Sequence, residues 1–207
     1  MKKMNKLKCF FISLNLRLSD LFLFIGFIPM TISLIYGQIF MQYPNPDDIA
    51  VVVIMSGCIH NCLGCQNPKL QKLHEPFIND FKKEIINHIK DLCKRNETNK
   101  IVLSGGDPLC PCNGNLTIDI CRELGNNGYE ICIYTGYSIE EVKEMGLNGF
   151  TFIKCGKFDA HSMRESKKTD EYIQFVNETQ NLFDSEFNQI SKDGIYYFNK
   201  TNGAKHD

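Results

Sequence analysis

The clearest periodic pattern lies over residues 79–96. Phe81, Ile85, Ile86, Ile89, Leu92 and Cys93 recur at helical spacing, with Lys, Glu and Asp on the other side, which predicts an amphipathic helix over Asn79–Asn96. On either side of it the apolar residues run continuously. Ile49–Met55, Lys100–Ser104, Tyr129–Tyr134 and Phe150–Lys154 read as strands. A β-branched run without alternation belongs to a strand covered on both faces, as in a parallel sheet. Thr31–Phe40 reads as a strand or strand pair, and Tyr43–Asp48, with two prolines and three Asx residues, as a turn. Leu116–Leu124 predicts a short helix that stops at Gly125. Ser138-Ile-Glu-Glu141 is a capping box that opens another helix, ending at Gly146. Strand and helix thus alternate, so the expected class is α/β with a mostly parallel sheet and right-handed crossovers. Four or five such units do not close a barrel of eight; a partial (β/α) barrel, open on one side, fits the length. Lys157–Asp170 is polar and aperiodic and reads as a solvated loop, Gly194–Phe198 as a short edge strand, and Thr201–Asp207 as a frayed tail.

Composition narrows this little. A chain of 207 residues with 43% hydrophobic content supports one domain with a real core. A net charge of −1 offers no electrostatic case for a nucleic-acid partner. The ten cysteines are many for this length. Cys93, Cys121 and Cys132 fall on apolar faces, where cysteine behaves as a small hydrophobe. Spacing, not abundance, therefore has to carry any argument for a metal.

One spacing does. Cys58-Ile-His-Asn-Cys62-Leu-Gly-Cys65 places three cysteines on a tight loop just after the Ile49–Met55 strand. Three thiolates on one loop can hold three irons of a cubane iron–sulfur cluster, whose usual complement is four cysteines. Without a fourth cysteine at matching spacing, one iron stays open for a small molecule. A zinc site is the rival reading. It wants four ligands and closure, and the candidates to complete it, His60, Cys110 and Cys112, make no standard second pair. A disulfide framework does not suit a chain of this size and cysteine pattern. His60 reads as a surface or supporting residue, and Cys110 and Cys112 as neighbouring thiols with a redox or metal role as the alternative.

The cysteine loop, followed by Ser104-Gly105-Gly106-Asp107-Pro108, resembles the radical S-adenosylmethionine (SAM) superfamily. The fuller wording Ser56-Gly57-Cys58 to Cys65-Gln66-Asn67-Pro68, with the later Tyr134-Thr135-Gly136-Tyr137, resembles the anaerobic ribonucleoside-triphosphate reductase activating proteins, over about Met30 to Phe183. The resemblance implies a [4Fe–4S] cluster on Cys58, Cys62 and Cys65, with SAM chelating the fourth iron, and a partial, open barrel of the radical SAM type. It implies SAM contacts from Gly64, Cys65 and Gln66, from Gly105, Gly106 and Asp107, and from Thr135 and Gly136. On residues alone, the Gly-Gly-Asp segment also reads as a plain βα turn with Pro108 at a helix start, and Thr135-Gly136 as a plain turn. Gly64 stands where many radical SAM enzymes carry an aromatic, which favours the reductase-activase branch. Asn177–Gln180 lies where the family tends to have Ser-x-Asn-Gln, but only Gln180 matches. The resemblance further implies a glycine in the anaerobic reductase as the target, a flavodoxin- or ferredoxin-type electron donor, and a cytoplasmic setting. The alternatives are an activase of another glycyl-radical enzyme of the formate-lyase type, a small-molecule radical SAM enzyme, and a non-catalytic zinc module.

The first 29 residues fit least. Lys2, Lys3, Lys6 and Lys8 precede an uncharged run over Leu21–Tyr36, the outline of a signal peptide or membrane helix. Gly26, Pro29, Thr31 and Ser33 interrupt that run, and export would carry an oxygen-sensitive cluster into an oxidising compartment. The expected division is an extension over 1–29 with translation starting at Met30, a radical SAM domain over 30–198, and a tail over 199–207. A hydrophobic anchor is the rival for the first segment.

Overall fold

A computed structural model of the chain describes residues 30–34, 44, 49–73, 75–76 and 79–198. The expectations for residues 1–29 and 201–207, most of the turn over 43–48, and the second half of the Thr31–Phe40 strand lie outside the described residues.

Among the described residues the main sheet has six strands. In chain order they are β1 (Met30–Leu34), β2 (Ala50–Met55), β3 (Lys100–Gly105), β4 (Glu130–Tyr134), β5 (Phe152–Cys155) and, later, β8 (Asn181–Asp184). Their order in space is β1-β2-β3-β4-β5-β8. The four central strands are parallel, while β1 and β8 run antiparallel along the two sides. The sheet is open. Helix α1 (Asn79–Arg95) crosses from β2 to β3, α2 (Gly114–Ile120) from β3 to β4, and α3 (Ile139–Glu144) from β4 to β5. The sheet is thus α/β and mostly parallel, as the alternating pattern predicts.

The continuous apolar runs are explained by covering on both faces. Val51, Val53, Met55, Ile101, Leu103, Ile131, Ile133 and Ile153 form one face and are buried with Ile85, Ile86, Ile89, Leu116 and Ile120 of the helices. The other face carries a smaller cluster of Ala50, Val52, Val102 and Cys132, flanked by Ile54, Tyr134 and Phe152. The short helix runs on past Ile120 as a π turn over Cys121–Gly125, so its stop falls at the glycine expected. At α3 both halves of the capping box are made: Ser138 Oγ accepts from Glu141 N, and Ser138 N donates to the Glu141 carboxylate.

A second, three-stranded sheet joins β6 (Lys167–Lys168), β7 (Tyr172–Gln174) and β9 (Ile195–Tyr197) in that order. It confirms an edge strand near Gly194–Phe198. Residues 157–166 are the irregular loop expected, whereas Lys167–Lys168 pairs as an edge. Among the described residues no helix is long and apolar enough to cross a membrane. The nine cysteines among them are all free thiols.

Candidate cluster and ligand site

The site forms where β2, β3 and β4 end side by side, at their C-terminal edges. β2 delivers the chain to Ser56-Gly57 and then to the cysteine loop. Backbone bonds tie this junction down. Gly57 N donates to Leu70 O at 2.7 Å, Gly106 N to Met55 O at 2.7 Å, and Asp107 N to Gly57 O at 2.8 Å. A short 3-10 turn, Pro68–Gln71, closes the loop. The glycines are required by these close approaches. A Cβ on Gly105 would stand 2.4 Å from Met55 O, and one on Gly106 would stand 2.6 Å from both Gly57 O and Leu70 O. Gly105 also has φ +118°, which side chains rarely adopt. The backbone that presses on the Gly-Gly segment is therefore the base of the cysteine loop itself.

Asp107 is the hub. It is fully buried, and its carboxylate accepts from four donors. Leu109 N (2.8 Å) and the Thr135 hydroxyl (2.9 Å) reach Oδ1; Gly136 N (2.8 Å) and His60 Nε2 (2.7 Å) reach Oδ2. One side chain thus joins the cysteine loop, the end of β3 and the end of β4. The Asp–Pro turn reading also holds locally, since Leu109 N is the typical partner of an aspartate at such a turn. A free acceptor for an incoming amine is not what Asp107 presents, because its lone pairs face protein donors.

His60 is covered: its side chain is 6% exposed, and it stands edge-on to Tyr137 at 4.5 Å. It supports the loop and does not lie on the surface. Gly136 makes room for it, since a Cβ there would come within 2.5 Å of the imidazole. Asn113 was not singled out from sequence. It stands where an N-cap belongs but makes no cap bond; its side chain donates instead to Ser56 O at 2.7 Å and Asp107 O at 2.9 Å. Only its position just before a helix marked it, and that signal points to the wrong job.

Cys58, Cys62 and Cys65 are each half-exposed on the one loop. Burial pushes the Cys58 thiol up, the N–H of His60 opposes this by donating to the sulfur, and Asp107, Cys62 and Cys65 add negative charge that pushes it up again. Asn67 N lies 3.4 Å from Cys65 Sγ as a second N–H donor to sulfur. Thiolates gathered on one loop repel unless a cation offsets them, so this donor set suits an iron–sulfur centre. Ligand atoms of Cys58, His60 and Asp107 also lie within 4.8 Å of one another. A metal held there would have to break the carboxylate's bonds to protein donors, which makes the three cysteines the better set. Gly64 and Gln66 are exposed beside Cys65. Gly64 has φ +68°, and a Cβ there would meet Ala160 at 2.6 Å. The loop after β5 packs on the cysteine loop at this point, which is a physical reason for glycine where an aromatic was the alternative.

Cys110 and Cys112 are buried, with their sulfurs 3.4 Å apart under Gly57. Burial pushes Cys110 up to about 12, so it stays a thiol. Asn177 and Gln180 are buried below the loop after β5; Asn177 bonds Asp159 through both its side-chain atoms.

A family profile described as a 4Fe-4S single cluster domain matches residues 48–182. The anaerobic ribonucleoside-triphosphate reductase-activating protein of Escherichia coli (strain K12) is 33% identical over 113 residues, which cover 51% of this chain and 72% of the relative. The chain belongs to the anaerobic ribonucleoside-triphosphate reductase-activating protein family. Relatives of the same name in Haemophilus influenzae (30% over 102 residues; 47% of this chain and 64% of the relative) and Enterobacteria phage T4 (27% over 119 residues; 54% and 72%) are also similar. No solved structure matches significantly. Within this activating-protein family, the 4Fe-4S domain match spans the cysteine loop, Asp107 and its partners, and all of β2 to β5.

Proposed function

We propose that this protein is a radical SAM activase that cleaves SAM reductively and generates a glycyl radical on an anaerobic ribonucleoside-triphosphate reductase. Residues 30–198 would form its radical SAM domain, a partial open barrel, with 1–29 an extension and 199–207 a tail. A reducing, cytoplasmic setting and a flavodoxin- or ferredoxin-type donor belong to this reading. The observation that carries it is the joining of three soft thiols to a Gly-Gly-Asp strand end through one buried carboxylate, in a chain of the activating-protein family.

Cys58, Cys62 and Cys65 would hold the [4Fe–4S] cluster. When bound, it supplies one electron that splits the sulfonium C5′ bond of SAM into methionine and a 5′-deoxyadenosyl radical, which takes the Cα hydrogen of a glycine. The chain's own residues have separate tasks. Gly64, Cys65 and Gln66 offer backbone along one side of the ligand. Gly105 and Gly106 offer the rim next to the loop. Asp107, Thr135 and Gly136, bonded to one another, keep that rim in register. The N–H groups of His60 and Asn67 stabilise the thiolates of Cys58 and Cys65.

The test is anaerobic reconstitution with iron and sulfide, then dithionite and SAM, with assay for 5′-deoxyadenosine. A brown protein that forms it, and loses the activity in Cys58→Ala, Cys62→Ala or Cys65→Ala, is the expected result. Adding the reductase should then yield a glycyl radical by EPR. A colourless, zinc-bound protein without SAM cleavage would overturn the reading.

A further inference from the structure

We infer that His60 is a positioning residue that locks the cysteine loop to the rim, acting through Asp107. His60 stands two residues after Cys58 on the same loop. Its Nε2 lies 2.7 Å from Asp107 Oδ2. With a carboxylate as acceptor, Nε2 carries the hydrogen. The imidazole therefore connects the first cysteine, by one residue of backbone, to a carboxylate anchored on β3 and held by the end of β4.

Three further observations show that the ring's place is built. Tyr137 stands edge-on against it at 4.5 Å. Gly136 leaves the space a Cβ would take. Neighbouring Asn61 adopts a left-handed φ of +48°, so the loop turns sharply just past His60. A ring anchored on both sides fixes where Cys58 sits relative to Gly105 and Gly106. An outer partner of this kind sets ligand geometry, and losing it typically costs about 10–100-fold in metal affinity or activity. The expected loss here falls on SAM and not on iron, because the three cysteines remain.

The enzymatic part of the test rests on the activase reading; the other part does not. The full chain is compared with His60→Leu, His60→Asn (too short to reach Asp107) and His60→Gln (which keeps a donor). In cluster-free protein, amide hydrogen exchange is followed over Gly57–Cys65. Exchange should quicken by about tenfold in His60→Leu and His60→Asn, and His60→Gln should return most of the protection. After reconstitution, the first two variants should hold wild-type iron yet bind SAM about 10–100-fold more weakly, with a changed EPR signal of the reduced cluster on SAM addition. His60→Gln should restore both. Wild-type exchange and SAM affinity in both His60→Leu and His60→Asn would overturn the inference. So would loss of iron equal to that of Cys58→Ala without rescue by His60→Gln, which would make His60 a ligand. If the wild type took up no iron, the activase reading would fail, while the exchange comparison would still decide the lock.

Discussion

At Gly136 one absent methyl group decides where a ring can sit. Gly136→Ala puts a carbon 2.5 Å from the imidazole of His60, so the ring has to move. We expect this variant to lose the proposed SAM cleavage by at least tenfold, measured as 5′-deoxyadenosine formed per iron. Lys154 provides a second test at this scale. Its ammonium lies 4.6 Å from the Tyr134 ring and 5.4 Å from the Phe175 ring, and burial pushes it down to about 8. In the unfolded chain it titrates near its ordinary value of about 10.4. Between these values the unfolded state binds the proton and the folded state does not, so stability rises with pH across that window. Urea melts of wild type and Lys154→Met should show the wild type gaining on the variant from about pH 8 to pH 10, by on the order of 2 kcal/mol. Much of the site was legible residue by residue. The cysteines stood out by spacing, whereas Gly105, Gly106 and Asp107 stood out only through the resemblance and on residues alone read as a plain βα turn; Asp107 is joined to the cysteine loop through His60. A supporting role was one of the two readings of His60, but its partner Asp107, 47 positions away, was not visible, and neither was the bond of Asn113 to Ser56, 57 positions away.

At the level of elements, prediction worked where covering was two-sided or where a cap was complete. Ser138 caps α3 with both halves of the box in place. Ser138→Ala should cost about 1 kcal/mol in a denaturant melt. Ile89→Ala, which empties a fully buried position between α1 and the sheet, should cost about 2–5 kcal/mol. The strands that sequence did not reveal are β6, β7 and β8. Asn181-Leu-Phe-Asp184 has two buried residues between two polar ones, too short to show a period, and its antiparallel pairing with β5 is set by long-range register. The bonded pair of Asn177 with Asp159 helps fix that return, again between segments far apart in the chain.

For the whole molecule, the donor loop and its supports meet only when β2, β3 and β4 are paired in order. A ligand that binds only this folded arrangement raises its stability. Anaerobic thermal melts should therefore show the iron-loaded protein unfolding at a higher temperature than chelator-stripped protein, and the two curves should coincide in a Cys58→Ala, Cys62→Ala double variant. The same dependence has a consequence in time. A ribosome releases the chain from its N-terminus, so Cys58, Cys62 and Cys65 emerge complete while Thr135 and Gly136 are still being added. A nascent loop could acquire iron before anything holds it in register. Loading during synthesis would then be reversible, and retention of the cluster would begin with the emergence of β4.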